Sequence, residues 1–278
     1  MKIKKKGLLI LLFSALLVLA ACAPSSGGPA AGTQTGQPAA FPDTVPETEP
    51  ETEPETEPET EPETTPETEK PALPRKIACV GDSITYGVGA SDRTKTSYPV
   101  LLQKLLGTGT TVRNFGRSRA YAINNKNEEY KYASDASVAY TETAEYRASL
   151  SYQPDAVVIM LGTNDAYVAH QNTDVAAKFH RELASLVKSY QALSSSPRIY
   201  LILCVDRYDA AVRKKNLAEL ILPEIRAVAG ELGTELIDLH TATAPYAKAS
   251  SGYYTDGIHL TDVGYELMAN EIYKSLTK

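Results

Sequence analysis

The chain has 278 residues and a formal net charge of −6, with 28 basic and 34 acidic side chains. Residues 1–70 hold 12 of the acidic and 5 of the basic residues, which leaves 22 acidic and 23 basic residues beyond them. The rest of the chain is therefore close to neutral and lacks the basic surface that nucleic-acid binding requires, so we expect no nucleic-acid partner.

The N-terminal segment has the features of a secretion signal. Lysines at positions 2, 4, 5 and 6 precede an apolar run over residues 8–20 that only Ser14 interrupts. This run is shorter than the roughly 20 residues that a membrane-spanning helix needs, and small residues close it. We therefore predict that residues 1–21 are a signal peptide.

The end of this segment, Leu19-Ala20-Ala21-Cys22, resembles the lipobox of bacterial lipoproteins, in which the cysteine is lipidated and becomes the mature N-terminus. The resemblance implies a lipid on Cys22 and an extracytoplasmic protein anchored to the bacterial cell membrane. An ordinary signal peptide followed by an incidental cysteine is the alternative interpretation.

Residues 22–73 are predicted to form a disordered linker after the lipidated N-terminus. The segment is rich in Pro, Gly, Ser, Thr and Glu, and from Glu47 it repeats Glu-Thr-Glu-Pro with a period of four residues. Prolines favour extended polyproline conformations and like charges repel one another, so the segment is expected to act as a stiff spacer. A second interpretation is that the repeat is a binding epitope.

Residues 74–278 fit one domain in which apolar strands alternate with helical patterns. This alternation predicts an α/β fold, a three-layer α/β/α sandwich with a parallel sheet of about five strands. The predicted strands are 77–80, 111–115, 156–161, 199–205 and 235–239, and the predicted helices are 98–106, 174–193, 211–232 and 262–276. Cys79 and Cys204 lie inside two of the strands, where we expect buried free thiols rather than a disulfide.

Polar residues follow several of these strands. Gly81-Asp82-Ser83 follows the first strand, Asn114-Phe115-Gly116 ends the second, and Gly162-Thr163-Asn164-Asp165 follows the third. Asp256-Gly257-Ile258-His259 precedes the last helix, at a spacing that lets the Asp and His side chains touch. In parallel sheets functional groups collect at the carboxyl edge, so Ser83 is placed as a nucleophile. A capped turn at Ser83 would give the same triplet.

These four blocks, in this order, resemble the GDSL or SGNH hydrolase superfamily over residues 75–276, which implies its flavodoxin-like fold. The resemblance implies that Ser83 is the nucleophile, that His259 accepts its proton, and that Asp256 orients the imidazole. It also implies an oxyanion hole formed by the backbone N–H groups of Ser83 and Gly116 and by the side-chain amide of Asn164.

Other strings resemble the carbohydrate and sialate acetylesterase branch of the superfamily; they lie at residues 154–161, 197–201, 222–226 and 237–240. This likeness implies a serine ester hydrolase whose substrate is an acetylated glycan. The alternatives are a lysophospholipase-like or thioesterase-like lipid esterase and a non-catalytic carbohydrate-binding lipoprotein. No cofactor or metal is expected, since His170, His180 and His240 are not at metal-ligand spacing, with His180 on a helix surface and His240 at a strand end.

The chain departs from the family pattern after Gly116, where a small residue and Ser-Gly are usual but Arg117-Ser118-Arg119 follows. Arg117 and Arg119 are candidates to contact an acidic sugar, or they point to solvent. Tyr253 and Tyr254 are candidates to line the substrate pocket. Six tyrosines between 121 and 152 are expected either to stack on sugars or to cover a core: Tyr121, Tyr130, Tyr132, Tyr140, Tyr146 and Tyr152.

Overall fold

The computed structural model describes residues 72–125, 132, 134, 136–168 and 174–278. The predicted signal peptide, Cys22 and nearly all of the predicted linker lie outside these residues, as do Tyr130 and His170. Within the described part of the chain, no helix combines the length and the apolar character that crossing a membrane requires.

The centre of the domain is a parallel five-stranded sheet. Its order is β2-β1-β5-β6-β7, and a separate pair, β3 and β4, lies outside it. The strands are β1 (Lys76–Gly81), β2 (Thr111–Gly116), β3 (Ala120–Tyr121), β4 (Val138–Ala139), β5 (Ala156–Met160), β6 (Arg198–Leu203) and β7 (Glu235–Asp238). All five predicted strands are present, and the predicted parallel α/β architecture is confirmed.

The burial of each strand matches its place at the centre or the edge of the sheet. Every residue of β5 is buried, as are all but the first residues of β1 and β6, because parallel strands at the centre of a sheet are covered on both faces. The edge strand β2 is buried only at its last two residues, Phe115 and Gly116. The apolar runs that predicted these strands are thus the residues that form the core.

The helices cover the sheet, with α3 against α10 and α6 against α8. The predicted helices 98–106 and 262–276 are confirmed residue for residue, and 174–193 within two residues. The helices are α1 (Ser83–Tyr86), α2 (Arg93–Thr96), α3 (Tyr98–Leu106), α4 (Ala144–Ser151), α5 (Asp165–Val168), α6 (Val175–Gln191), α7 (Ala211–Asn216), α8 (Leu222–Leu232), α9 (Leu239–Thr243) and α10 (Asp262–Leu276).

The single helix predicted over 211–232 is interrupted in the structure. A π-helical turn, Leu217–Ile221, separates α7 from α8, and the Leu222 N–H donates to the Leu217 carbonyl five residues earlier. Pro223 follows directly and has no N–H to donate to the carbonyl four residues before it. The wider turn accommodates the proline without ending the helical path.

The tyrosines between 121 and 152 that the structure describes belong to the core and its cover. Tyr140 is buried and donates its hydroxyl to the Phe115 carbonyl at 2.7 Å. Tyr132 donates to the Ile123 carbonyl at 2.7 Å, and Tyr121 stacks on Tyr132 with 4.3 Å between ring centroids. These contacts favour the core interpretation over sugar stacking.

Cys79, Cys204 and His180 take structural positions. Cys79 and Cys204 are buried and unbridged, as predicted. His180 lies on α6, where its ring nitrogens contact Glu224 at 2.8 Å and Glu231 at 3.0 Å, and these carboxylates raise the pKa of His180. The described residues contain no group of three or more His, Cys, Asp or Glu side chains arranged to hold a metal ion.

Candidate active site

Ser83 stands at the carboxyl end of β1, as the first residue of α1. Gly81 permits the sharp turn, because a Cβ there would overlap Thr85 and the Met160 carbonyl. Asp82 caps α1 by accepting the Ile84 N–H at 2.9 Å. The N–H of Ser83 has no acceptor within the helix, since the first four N–H groups of any helix lack one.

His259 joins Ser83 to Asp256. The Ser83 hydroxyl oxygen is 2.9 Å from His259 Nε2, and His259 Nδ1 is 2.7 Å from Asp256 Oδ2. The serine is 6 % exposed, so nearly all of its surface is covered by the protein. The three predicted residues, which come from opposite ends of the domain sequence, therefore form one continuous relay.

A tight loop holds the acid and the base in this relation. An antiparallel bridge between Tyr254 and Leu260 closes the loop, and Gly257 within it has φ +87°, a conformation that favours glycine. Asp256 Oδ1 accepts the backbone N–H groups of Ile258 at 3.1 Å and His259 at 2.8 Å. Partial burial acts to raise the pKa of Asp256, but these hydrogen bonds and that of the His259 ring outweigh it and hold the pKa below its ordinary value.

Asn164 lies in the loop that follows β5. Gly162 enters this loop with φ +129°, and a Cβ there would overlap Ile221. One N–H of the Asn164 amide donates to the Ala120 carbonyl at 2.9 Å. A side-chain amide carries two N–H groups, so one remains for an oxyanion.

The prediction that the Gly116 N–H is an oxyanion donor is wrong, because this N–H already donates to Asn114 Oδ1 at 2.8 Å. Glycine is required at this position for another reason. A Cβ on Gly116 would overlap the backbone of Thr85 and Tyr86, so the absence of a side chain lets β2 approach α1 closely.

Arg119 occupies a strained turn beside these groups. It has φ +66°, which costs a non-glycine residue about 1 to 2 kcal/mol. The turn is closed by a hydrogen bond from the Ala120 N–H to the Arg117 carbonyl at 3.1 Å. The Arg117 N–H donates to the Gly81 carbonyl at 2.9 Å, and Asn164 bonds the Ala120 carbonyl, so the turn links the serine loop to the Asn164 loop.

The side chains of Arg117 and Arg119 are exposed, and Arg117 lies 3.8 Å from Glu145. Contact of either arginine with an acidic sugar stays a prediction. A cavity of about 280 Å³ lies beside Arg117, lined also by Val138, Glu142, Thr143, Ala144 and Glu145.

Of the two predicted pocket tyrosines, only Tyr253 is partly exposed, and it stacks on Tyr246 with 4.0 Å between ring centroids. Tyr254 is buried. It is 6 % exposed, packs its ring against Tyr208, and donates its hydroxyl to the Asp206 carbonyl at 2.7 Å. The prediction for Tyr254 is therefore corrected to a structural role.

Two buried carboxyl groups beneath the site were not predicted as functional. Burial raises the pKa of Asp82 to about 6 and that of Asp165 to about 7. Asp165 accepts the N–H groups of Ala122 and Ile123, whereas Asp82 accepts the Ile84 N–H and interacts with the Thr163 side chain, which lowers the pKa of Asp82 and opposes the effect of burial. Asp82 directly precedes Ser83 and Asp165 directly follows Asn164, and this adjacency is the sequence feature that could have identified them. Arg207, which is also buried, follows β6 in a segment that no motif marks.

Residues 79–267 match the GDSL-like Lipase/Acylhydrolase family. The chain belongs to this family. The predicted superfamily and fold class are thereby confirmed, and the chain is placed among serine ester hydrolases.

The chain is also similar to individual proteins. It is 29 % identical over 216 residues to an acetylxylan esterase from Xylanibacter ruminicola, covering 71 % of this chain but only 42 % of that protein. Its fold resembles a carbohydrate acetylesterase family member from Sinorhizobium meliloti, with TM-score 0.58, 20 % identity, and coverage of 73 % and 97 %. It also resembles a lipase/acylhydrolase from Enterococcus faecalis, with TM-score 0.55, 23 % identity, and coverage of 73 % and 95 %.

The strain at Arg119 generates a prediction about stability. Arg119→Gly is expected to raise the free energy of unfolding by about 1 kcal/mol, because glycine adopts positive φ without a steric cost. Chemical denaturation of the purified protein measures this change. Arg117→Gly is the matched control, since Arg117 has negative φ and should lose stability or stay unchanged. A destabilised Arg119→Gly variant would show that the arginine side chain makes contacts that outweigh the strain.

Proposed function

We propose that this protein is a serine esterase that removes O-acetyl groups from carbohydrates through an acyl-enzyme. The observation that carries the proposal is the relay from Ser83 through His259 to Asp256, with separations of 2.9 Å and 2.7 Å. A serine hydroxyl is a weak nucleophile at neutral pH, and this arrangement supplies the base and the orienting carboxylate that it needs.

The chemistry follows from the proton positions in the relay. Asp256 accepts the Nδ1–H of His259, which leaves Nε2 as a lone-pair acceptor facing the Ser83 hydroxyl. As Ser83 Oγ attacks the ester carbonyl, its proton moves to Nε2, and the imidazolium then protonates the departing sugar oxygen, which leaves as a hydroxyl and yields the acetyl-serine. Water then attacks the acetyl-serine and gives its proton to Nε2, and this proton returns to Ser83 Oγ as acetate leaves.

The negative charge on the tetrahedral intermediate requires hydrogen-bond donors. We assign two of them to the Ser83 N–H and to the second N–H of the Asn164 amide, the roles that the family resemblance implies. Because Gly116 is already bonded, we assign the third donor to the Arg119 N–H, which lies in the turn that links the Ser83 and Asn164 loops. Removal of one such donor costs on the order of 10² to 10³ in rate.

The carbohydrate substrate is supported by relatives rather than by a bound ligand. An acetylxylan esterase is among the relatives, although this chain spans 42 % of its length, and a carbohydrate acetylesterase is among the structural relatives. The relatives carry this part of the proposal, since Ser83, Asp256 and His259 are not among the residues that line the cavity beside Arg117.

The enzymatic proposal predicts that Ser83→Ala lowers the hydrolysis of aryl acetate at least 10⁴-fold, roughly the loss seen when a triad member is removed. Initial rates on aryl acetate, aryl octanoate and acetylated xylan test this prediction. The initial rate should be higher on aryl acetate than on aryl octanoate. Ser97→Ala, at a buried serine away from the relay, is the matched control and should keep the parent rate.

Equal rates for Ser83→Ala and the parent would refute the relay as the catalytic centre. A preference for octanoate would instead indicate a lipid esterase that uses the same relay. Binding of xylan without any turnover would favour a carbohydrate-binding lipoprotein.

We also propose that the protein is exported and held at the bacterial cell membrane by a lipid on Cys22. The support is the short apolar run before Cys22 and the Pro- and Glu-rich segment after it, which would separate the domain from the membrane. Acyl chains give membrane affinity in proportion to their buried length, so the lipid would hold the protein at the membrane.

Cys22→Ala is expected to abolish incorporation of a labelled fatty acid and to move the protein out of the membrane fraction of the expressing bacterium. Labelling, followed by fractionation and immunoblotting, measures both effects. Cys79→Ala and Cys204→Ala are controls and should leave the label unchanged. An unlabelled parent protein would contradict the proposed anchor.

A further inference from the structure

Arg207 is a buried cation in the segment that follows β6. Its side chain is 3 % exposed, and each of its three guanidinium nitrogens has an acceptor. Nη1 donates to the Thr163 carbonyl at 2.8 Å, and Nε and Nη2 donate to the two carboxylate oxygens of Asp209 at 2.6 Å and 2.8 Å. A buried charge is tolerated only when it is paired and hydrogen-bonded, as it is here.

The pairing with Asp209 fixes the guanidinium plane. Two parallel N–H···O bonds to one carboxylate restrict both the position and the rotation of an arginine head group. Burial acts to raise the pKa of Asp209, but the hydrogen bonds and charge of Arg207 outweigh it and hold the pKa below its ordinary value. Arg213 adds a bond to the same carboxylate at 3.0 Å from the outer side, without contacting Thr163.

The third bond reaches the peptide that begins Asn164. The Thr163 carbonyl and the Asn164 nitrogen belong to one planar peptide unit, so an anchor on that oxygen fixes the plane from which Asn164 extends. Gly162, directly before this unit, has φ +129° and adds no side-chain contact that could hold it. The Thr163 side chain interacts with Asp82 and Cys204, but neither of these side chains bonds the Thr163 carbonyl oxygen. Arg207 thus supplies a side-chain anchor on that oxygen.

The same segment also contacts the loop of Asp256 and His259, but through its backbone. The Tyr208 N–H donates to the Gly257 carbonyl at 3.0 Å, and the Asp206 carbonyl accepts the Tyr254 hydroxyl. These bonds do not involve the guanidinium, and Asp209, which lies against Gly257, keeps its bond to Arg213, so we expect them to persist when Arg207 is replaced. Loss of the guanidinium is therefore expected to disturb the Asn164 loop and to spare the His259 loop.

We infer that Arg207 is a positioning residue that holds the Asn164 amide in place for the oxyanion. The inference rests on the proposed function, because it assigns a role within that reaction. Lysine cannot replace Arg207 fully, since one ammonium group cannot reproduce the planar fork to Asp209 while also bonding the Thr163 carbonyl.

A double-mutant cycle on the purified protein tests this role, using kcat and KM for aryl acetate in the parent, Arg207→Met, Asn164→Ala and the double variant. Arg207→Met is expected to lower kcat about 10²-fold, the scale of a lost oxyanion donor, with KM changed less than about threefold. In the Asn164→Ala background the same change should cost less than about threefold, because the group it positions is gone.

Two further variants make the result specific. Arg207→Lys should lower kcat roughly tenfold, which lies between the values for the parent and for Arg207→Met. It replaces Arg207→Met in the double-mutant cycle if Arg207→Met does not fold. Arg213→Met removes the outer bond to Asp209 and the contact of the guanidinium with the Tyr167 ring, but it leaves the bond to the Thr163 carbonyl in place and should stay within about twofold of the parent.

An equal loss of kcat in the parent and Asn164→Ala backgrounds would overturn the inference, as would an unchanged kcat in the folded Arg207 variants. Either result would leave the proposed function intact, provided that hydrolysis still depends on Ser83. Hydrolysis that does not depend on Ser83 would instead overturn the proposed function and this inference together.

Discussion

The site depends on the parallel register of β1 with its two neighbours. Gly81 pairs with Gly116 of β2 and with Met160 of β5, so these three strands end at the same level of the sheet. Parallel strands present their carboxyl ends at one edge, where a nucleophile, a backbone turn and a side-chain amide can converge. Gly81 and Gly116 are necessary there because any side chain would overlap the backbone or side chain that packs against them.

The acid and base reach this edge by a different route. They belong to no strand of the sheet, and the loop that carries them is held by its own hydrogen bonds and by the segment that follows β6. Tyr254 shows how: its hydroxyl bonds the Asp206 carbonyl while its backbone pairs with Leu260. A residue that the sequence suggested for substrate contact thus fixes the geometry of His259 instead.

Much of the fold and the relay could be predicted from the sequence, because burial on both faces gives central strands an uninterrupted apolar run, and because Asp256 and His259 are close along the chain. Other features could not be predicted from the sequence. The acceptor of the Gly116 N–H is a side chain two residues away, whose direction no pattern reveals. Arg119 adopts a positive φ, which a glycine at this position would have indicated but an arginine does not. Arg207 acts through a peptide that lies 44 residues away in the sequence. These details arise from three-dimensional packing.

The central claim is that Ser83 is a nucleophile activated by His259, and covalent trapping tests it most directly. Incubation with an aryl dialkyl phosphate, followed by intact-mass and peptide mass spectrometry, should show one dialkylphosphoryl group per chain, located on Ser83. His259→Ala should slow this labelling by orders of magnitude, because the serine loses its base. Labelling of a different residue, or labelling of Ser83 at an unchanged rate in His259→Ala, would contradict the account.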